Sequence, residues 1–177
     1  MSIDSYTPAA DQLAPAYTLR GPILSFPVYG DPIGQGRISF YGKGRSVHSN
    51  AKTLKPWRFQ IATEAHNQIL AARRMGYEFP LTGPVGLHLH FTVPKPASAP
   101  KRRRTFPIKR PDLSHFVRAV EDALTPLKDS PVSTHVLVDD SQIVYLLATK
   151  AYPDEEQQAL ERPGVLIRVY GVGVRDV

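Results

Sequence analysis

The stretch RPDLSHFVRAVEDAL, residues 110–124, predicts an amphipathic helix that the rest of the domain packs around. Six apolar residues at helical spacing form one stripe of this helix, and the last of them lies just beyond the quoted stretch: Leu113, Phe116, Val117, Val120, Leu124 and Leu127. A polar stripe at every fourth residue contains Ser114, Arg118 and Asp122. Asp112 precedes the apolar run and is a natural helix N-cap, and Pro126 is expected to end the helix.

A basic segment leads into this helix. Residues 95–110, KPASAPKRRRTFPIKR, contain seven Lys or Arg residues and no acid, within a chain of 177 residues and net charge +6. A basic balance favours a polyanionic partner, with nucleic acid as the first candidate, although a solvated charge run explains the segment equally well when taken alone. A carboxylate at Asp112 repels phosphate unless a divalent cation reverses the local charge.

A second acidic position precedes a predicted strand. Asp139 and Asp140 open the sequence DDSQIVYLLATKAY, where turn residues are the simple structural alternative. Carboxylates are hard oxygen ligands that suit Mg²⁺, and a bound Mg²⁺ activates water for attack on a phosphodiester. The three aspartates together therefore predict a metal-dependent phosphodiesterase site, with helix capping and turn formation as the competing interpretation.

The remaining segments predict a mixture of strands and one further helix. Strands are predicted for Pro22–Gly30, for a hairpin that begins at RISFYG, for PVGLHLHFTVP and for GVLIRVYGVGV, and a helix is predicted from about Pro56 to Met75. His88 and His90 share one face of their strand, which we interpret as facing solvent or nucleic acid, with metal binding as the alternative. The absence of cysteine excludes disulfides, thiolate catalysis and cysteine-ligated zinc.

The domain organisation is predicted to be simple. Residues 1–20 are polar and rich in Pro and Ala, and we expect a flexible tail there and a single domain over 21–177. The tail has no apolar segment typical of a signal peptide or a membrane span, so no membrane partner and a cytoplasmic location are expected.

Four motifs, in order along the chain, resemble the RusA family of Holliday junction resolvases from bacteria and phages. The family signature is a basic residue and Pro before Asp-Leu-Asp-Asn, a helix with a Lys and an Asp-Ala-Leu ending, and Asp-Asp-x-Gln before a strand. The matching segments here are RPDLSHFVRAVEDAL and DDSQIV. FPVYGDPIGQGRISF and VPKPASAPKRRR resemble two earlier family blocks, so the resemblance extends from Leu24 to Val169.

The resemblance implies an α+β (mixed α/β) fold with a mixed sheet flanked by two helices, assembled as a homodimer. It implies a structure-selective endonuclease that resolves four-way DNA junctions in recombination and repair. The implied cofactor is Mg²⁺, with Mn²⁺ as a substitute, and the implied partner is branched DNA.

Carried over to this sequence, the resemblance assigns Asp112, Asp139 and Asp140 as catalytic metal ligands. Arg118 matches the family's helix lysine and is expected to contact the scissile phosphate, with Asp122 in support. Ser114 and His115 replace the family's Asp and Asn, so a weakened or inactive DNA-binding homologue is one alternative. A basic RNA- or ribosome-associated domain, in which the acids only cap a helix and form turns, is another. The residues expected to follow the DNA backbone are Arg37, Lys95, Lys101, Arg102, Arg103, Arg104, Lys109 and Arg110.

Overall fold

The computed structural model describes residues 17–41, 45–100 and 103–174. Within these residues the strands are β1 (Tyr17–Tyr29), β2 (Ile38–Tyr41), β3 (Arg45–His48), β4 (Val85–Thr92), β5 (Ile143–Ala151) and β6 (Gly164–Val174). The helices are α1 (Ala51–Arg74) and α2 (Leu113–Leu124), and a 3-10 turn, Asp140–Gln142, precedes β5.

Four of the strands form one mixed sheet in the order β1-β6-β4-β5. The β1–β6 and β6–β4 pairs are antiparallel, whereas β4 and β5 are parallel, and the crossover between them contains α2. Strands β2 and β3 form a separate antiparallel hairpin, as predicted. This confirms the predicted α+β fold with a mixed sheet and two helices.

The core lies between the helices and one face of the sheet. Alternate residues of β4 point into it, because side chains along a strand alternate between its two faces. The Phe91 ring stacks on Phe116 of α2 with ring centroids 5.2 Å apart. The other fully buried large side chains are Phe26, Val28, Leu54, Ile61, Ile69, Leu87, Leu89, Leu124, Leu137 and Ile167.

Helix α1 is longer than predicted, whereas helix α2 has its predicted bounds. Helix α1 begins at Ala51, ahead of the predicted Pro56, because the Asn50 carbonyl already accepts from the Leu54 N–H at 3.0 Å. Pro56 lies on the exposed side of the second turn, and because proline has no N–H, one carbonyl of the first turn has no helical partner. Helix α2 ends before Pro126 as predicted, and Leu127 therefore lies outside it.

The β4 face that contains Gly86, His88, His90 and Thr92 was predicted to face solvent or nucleic acid, and this was wrong, because all of these residues except His88 are buried. His90 is 6% exposed and its Nδ1 lies 2.8 Å from the Thr149 hydroxyl. Thr92 is fully buried and its hydroxyl accepts from the Leu160 N–H at 2.8 Å. The reason is that β4 lies between β6 and β5, and the segment after β5 covers this end of the sheet.

The predicted tail overlaps with the first strand. Strand β1 begins at Tyr17, so residues 17–20 already belong to the sheet, ahead of the predicted domain boundary at 21. Residues 1–16 of the predicted tail lie outside the described residues. Neither helix in the described part of the chain combines the length and apolar character needed to cross a bilayer.

Candidate functional site

Arg118 connects the polar stripe of α2 to the acidic turn before β5. Its Nη1 lies 3.4 Å from Asp140 Oδ2, and its Nε lies 3.5 Å from Asp122 Oδ1, one turn further along the helix. The structure thus brings together three of the sequence-predicted site residues, although Asp140 is distant from α2 in sequence. More than half of the Arg118 side chain is exposed, so it remains accessible to a ligand.

Asp139 caps the 3-10 turn before β5. Its Oδ1 accepts from the Ser141 N–H at 2.9 Å, which confirms the interpretation of this residue as a turn former. Hydrogen bonds from Ser141, first from its side chain and then from its backbone, hold the pKa of Asp139 below its usual range. The Asp139 carboxylate is therefore ionised at neutral pH.

Gln142 fixes this turn to the rest of the domain. Its Oε1 accepts from the backbone N–H groups of Val138 and Asp139, at 2.8 and 3.0 Å. Its Nε2 donates to the carbonyls of Leu81 and Gly83, also at 2.8 and 3.0 Å. Sequence reasoning gave Gln142 no role, although a Gln three residues after a capping Asp is the signal for this reciprocal capping arrangement.

Asp112 lies at the N-cap position of α2, but its side chain makes no capping hydrogen bond with the described residues. The carboxylate is exposed and is thus open to a ligand. Lys150 of β5 holds the backbone just ahead of it, because Lys150 Nζ donates to the carbonyls of Lys109 and Pro111, at 3.1 Å each. Sequence reasoning missed Lys150, whose signal is a lysine within a largely apolar strand.

A glycine-containing loop closes over the start of α2. A Cβ on Gly34 would lie 3.0 Å from Pro111 Cβ and 3.1 Å from His115 Cβ, so a larger residue would push the loop away. The Gln35 N–H donates to the His115 carbonyl at 2.9 Å. Beside this contact is a cleft of about 340 Å³ lined by Gly34, Gln35, Gly36, Arg37, Ser49, Asn50, Arg110, Pro111, Asp112 and His115.

The predicted metal ligands form a pair and a separate residue. Among residues 17–41, 45–100 and 103–174, no three His, Cys, Asp or Glu side chains are grouped closely enough to hold a metal ion. Asp112 is therefore not clustered with Asp139 and Asp140, and Ser114 occupies the position where the family pattern has a further carboxylate. The donors still fit Mg²⁺, which binds through one or two carboxylates and completes its shell with waters and substrate phosphates.

The basic loop before α2 is held by the acidic segment after β5. Lys95 forms an ion pair with Glu155, and the other Glu155 oxygen accepts from the Thr105 N–H at 3.1 Å. Arg104 Nη2 lies 4.0 Å from Glu156 Oε2. Lys95 is therefore engaged within the protein, whereas the predicted DNA contacts Arg37, Arg103, Lys109 and Arg110 are exposed. Lys101 and Arg102 lie outside the described residues.

These features define a class of protein: a small α+β domain in which carboxylates and a guanidinium meet at a helix and a strand, beside exposed cations, as a nuclease requires. The sequence model of the family described as Endodeoxyribonuclease RusA matches residues 30–169, and the chain belongs to this family. The chain is also similar to the uncharacterized protein YqaN of Bacillus subtilis (strain 168), with 27% identity over 145 residues. That match covers 75% of this chain and 89% of YqaN.

Family membership confirms the resemblance and gives the activity at a coarse level. The RusA family supports an endodeoxyribonuclease that resolves DNA junctions, and its members generally depend on a divalent metal. Branched DNA is the partner that this family implies.

Proposed function

We propose that this protein is a Mg²⁺-dependent, structure-selective endonuclease that resolves four-way DNA junctions in recombination and repair, with Mn²⁺ as a substitute. The observation that carries the proposal is the ion pair of Arg118 with Asp140, which joins a cation and an acidic pair at one site within the family match. A cytoplasmic location in a bacterium or in a phage-infected cell suits this role.

The roles of the residues follow from their chemistry. Asp139 and Asp140, with Asp112, would hold the metal, and the metal when bound supplies an activated water and neutralises charge on the phosphate. Arg118 donates to the scissile phosphate and stabilises the charge that develops on its oxygens. A phosphate that accepts from Arg118 also competes with Asp140 for the guanidinium, so substrate binding frees the Asp140 carboxylate.

The exposed cations around the site provide binding energy that is independent of DNA sequence. Arg37, Lys109 and Arg110 lie on the two segments that line the cleft beside Asp112 or adjoin it. Cations placed in this way contact the DNA backbone on either side of the scissile phosphate, and their contribution falls steeply as salt rises. We propose that they position the DNA and that the branch itself provides the selectivity.

A junction-cleavage assay tests this function. The purified protein should nick a synthetic four-way junction in the presence of Mg²⁺ and leave a linear duplex of the same sequence largely intact. Asp140→Asn should lower the cleavage rate by at least about 100-fold, while junction binding is kept or tightened because a charge that repels phosphate is removed.

Asp129→Asn is the matched control, because Asp129 is an exposed aspartate whose positive φ of 57° an asparagine also tolerates. It should cleave at the wild-type rate. Binding of the junction without any product across a wide range of Mg²⁺ and Mn²⁺ concentrations would overturn the proposed activity, and full activity of Asp140→Asn would overturn the assignment of the site.

A further inference from the structure

We propose that Arg58 of α1 is a positioning residue, which acts through Asp122 to orient Arg118 at the site. This inference rests on the proposed function, because it takes Arg118 to be the group that contacts phosphate. Arg58 belongs to the helix that packs behind α2, and no motif of the sequence points to it.

A continuous series of charged contacts leads from α1 to the acidic turn. Arg58 Nη2 donates to Asp122 Oδ2, and the other oxygen of the same carboxylate, Oδ1, lies 3.5 Å from Arg118 Nε. Arg118 Nη1 in turn lies 3.4 Å from Asp140 Oδ2. Asp122 therefore uses one oxygen for the inner arginine and the other for the outer arginine.

The two arginines differ in solvent exposure, and this difference gives them different functions. The exposed fraction is 15% for Arg58, 23% for Asp122 and 54% for Arg118. Arg58 is too covered to bind a DNA phosphate directly, and burial, opposed by the Asp122 charge, lowers its pKa below the ordinary value. A covered ion pair of this kind adds little net stability but places its groups accurately, so its effect is expected at Arg118.

Asp122 is also held from a third element. Gln35 Nε2 donates to Asp122 Oδ2 at 3.3 Å, and the Gln35 N–H donates to the carbonyl of His115. The carboxylate is thus fixed by α1 and by the loop over the start of α2. Asp122 contacts the Nε edge of the Arg118 guanidinium. The Nη groups of the same planar guanidinium are therefore directed toward Asp140, and toward a bound phosphate, in a fixed orientation.

The first test compares cation removal at two positions of α1. Arg58→Met should lower kcat for junction cleavage by about 10- to 100-fold with KM changed much less, because an imprecisely placed group affects the transition state more than binding. Lys55→Met is the matched control, since Lys55 lies one turn earlier and forms an exposed pair with Asp129 at 3.6 Å. Wild-type cleavage by Arg58→Met would overturn the inference. If Arg58→Met does not fold, Arg58→Lys, which keeps the charge, replaces it in the comparison with Lys55→Met.

A second test separates positioning from a general loss of structure. In an Arg118→Met background, Arg58→Met should cause no further loss of kcat, because the residue through which it acts is already absent. Full additivity of the two losses would overturn the inference.

A third measurement does not depend on cleavage. The Nε chemical shift of Arg118 in NMR spectra, assigned by its absence in Arg118→Lys, should change in Arg58→Met, because the Asp122 carboxylate 3.5 Å from this nitrogen loses its inner partner. An unchanged Arg118 shift in Arg58→Met would overturn the inference even if no junction is cut. Absence of cleavage by the wild-type protein would instead count against the proposed function, while this signal still decides the role of Arg58.

Discussion

Ser114 is the residue at which this chain departs from the pattern of its family. It is exposed, and it lies one turn before Arg118 on the same stripe of α2. A carboxylate at this position would add a hard ligand and a negative charge to the polar stripe that contains Arg118. The serine hydroxyl instead leaves the site with fewer metal donors.

Restoring the carboxylate should therefore strengthen metal binding. We expect Ser114→Asp to lower the Mg²⁺ concentration for half-maximal cleavage roughly 10-fold, because affinity for hard cations rises with the charge of the ligand set. Metal titrations of cleavage and of thermal unfolding both measure this effect. Ser114→Asn, which has the same shape without the charge, is the control, and an equal shift in both variants would contradict the prediction.

At the scale of elements, the acidic segment after β5 acts as an anchor for the basic loop before α2. Glu155 engages that loop at two points, with one oxygen on Lys95 and the other on the Thr105 N–H. These contacts, the Lys95 hydrogen bond first, hold the pKa of Glu155 below its usual range. The loop is thereby held in place while other cations of the segment stay exposed.

This anchor predicts a pH-dependent contribution to stability. Because the folded-state pKa of Glu155 lies below its unfolded value of about 4.3, the contribution is present above that value and is lost as pH falls through the folded-state pKa. Glu155→Gln should thus lower the Tm at neutral pH, and its Tm should converge with that of the wild type once the pH falls below the folded-state pKa. Thermal unfolding across this range tests the prediction against Glu161→Gln, a change at an exposed acid, and a constant difference at every pH would contradict it.

Local sequence patterns were sufficient to predict most helices and strands, but not the contacts between them. The periodicity of α2 and the alternation of β4 are properties of neighbouring residues, and both predicted elements are present. The contact of Arg58 with Asp122 joins two helices far apart in sequence, and no local spacing encodes it. For the same reason the burial of His90 was missed, because it depends on which strands flank β4.

At the scale of the whole molecule, β5 offers a surface for a second copy of the chain. It lies at the edge of the sheet, and one side of it has no neighbouring strand among the described residues. Val144, Leu146 and Leu147 are exposed on it and cover both faces of the strand. An exposed apolar edge strand is a template for pairing, and a two-fold antiparallel pair of β5 strands is self-complementary. We propose that the chain forms a homodimer there.

A charge at this edge should separate the copies. We expect Leu147→Asp to weaken dimerisation by at least about 100-fold, because the pairing would bury an unpaired carboxylate. Sedimentation velocity across a concentration series measures this change. Leu70→Asp is the control, because Leu70 is an exposed leucine on α1 rather than on the sheet. Wild-type protein that remains monomeric at high concentration, or a Leu147→Asp dimer, would contradict the proposal.

The hydrogen bonds of Lys150 connect β5 to the segment just before α2. The Asp139–Asp140 turn leads directly into this strand, and near its other end Lys150 holds the carbonyls of Lys109 and Pro111, just before Asp112. A single strand therefore sets the spacing between the two acidic parts of the site. If two copies join along β5, a displacement of this strand in one copy moves both acidic parts of that copy's site. The same displacement shifts the β5 strand of the second copy. The two nicks in a junction would therefore be mechanically linked.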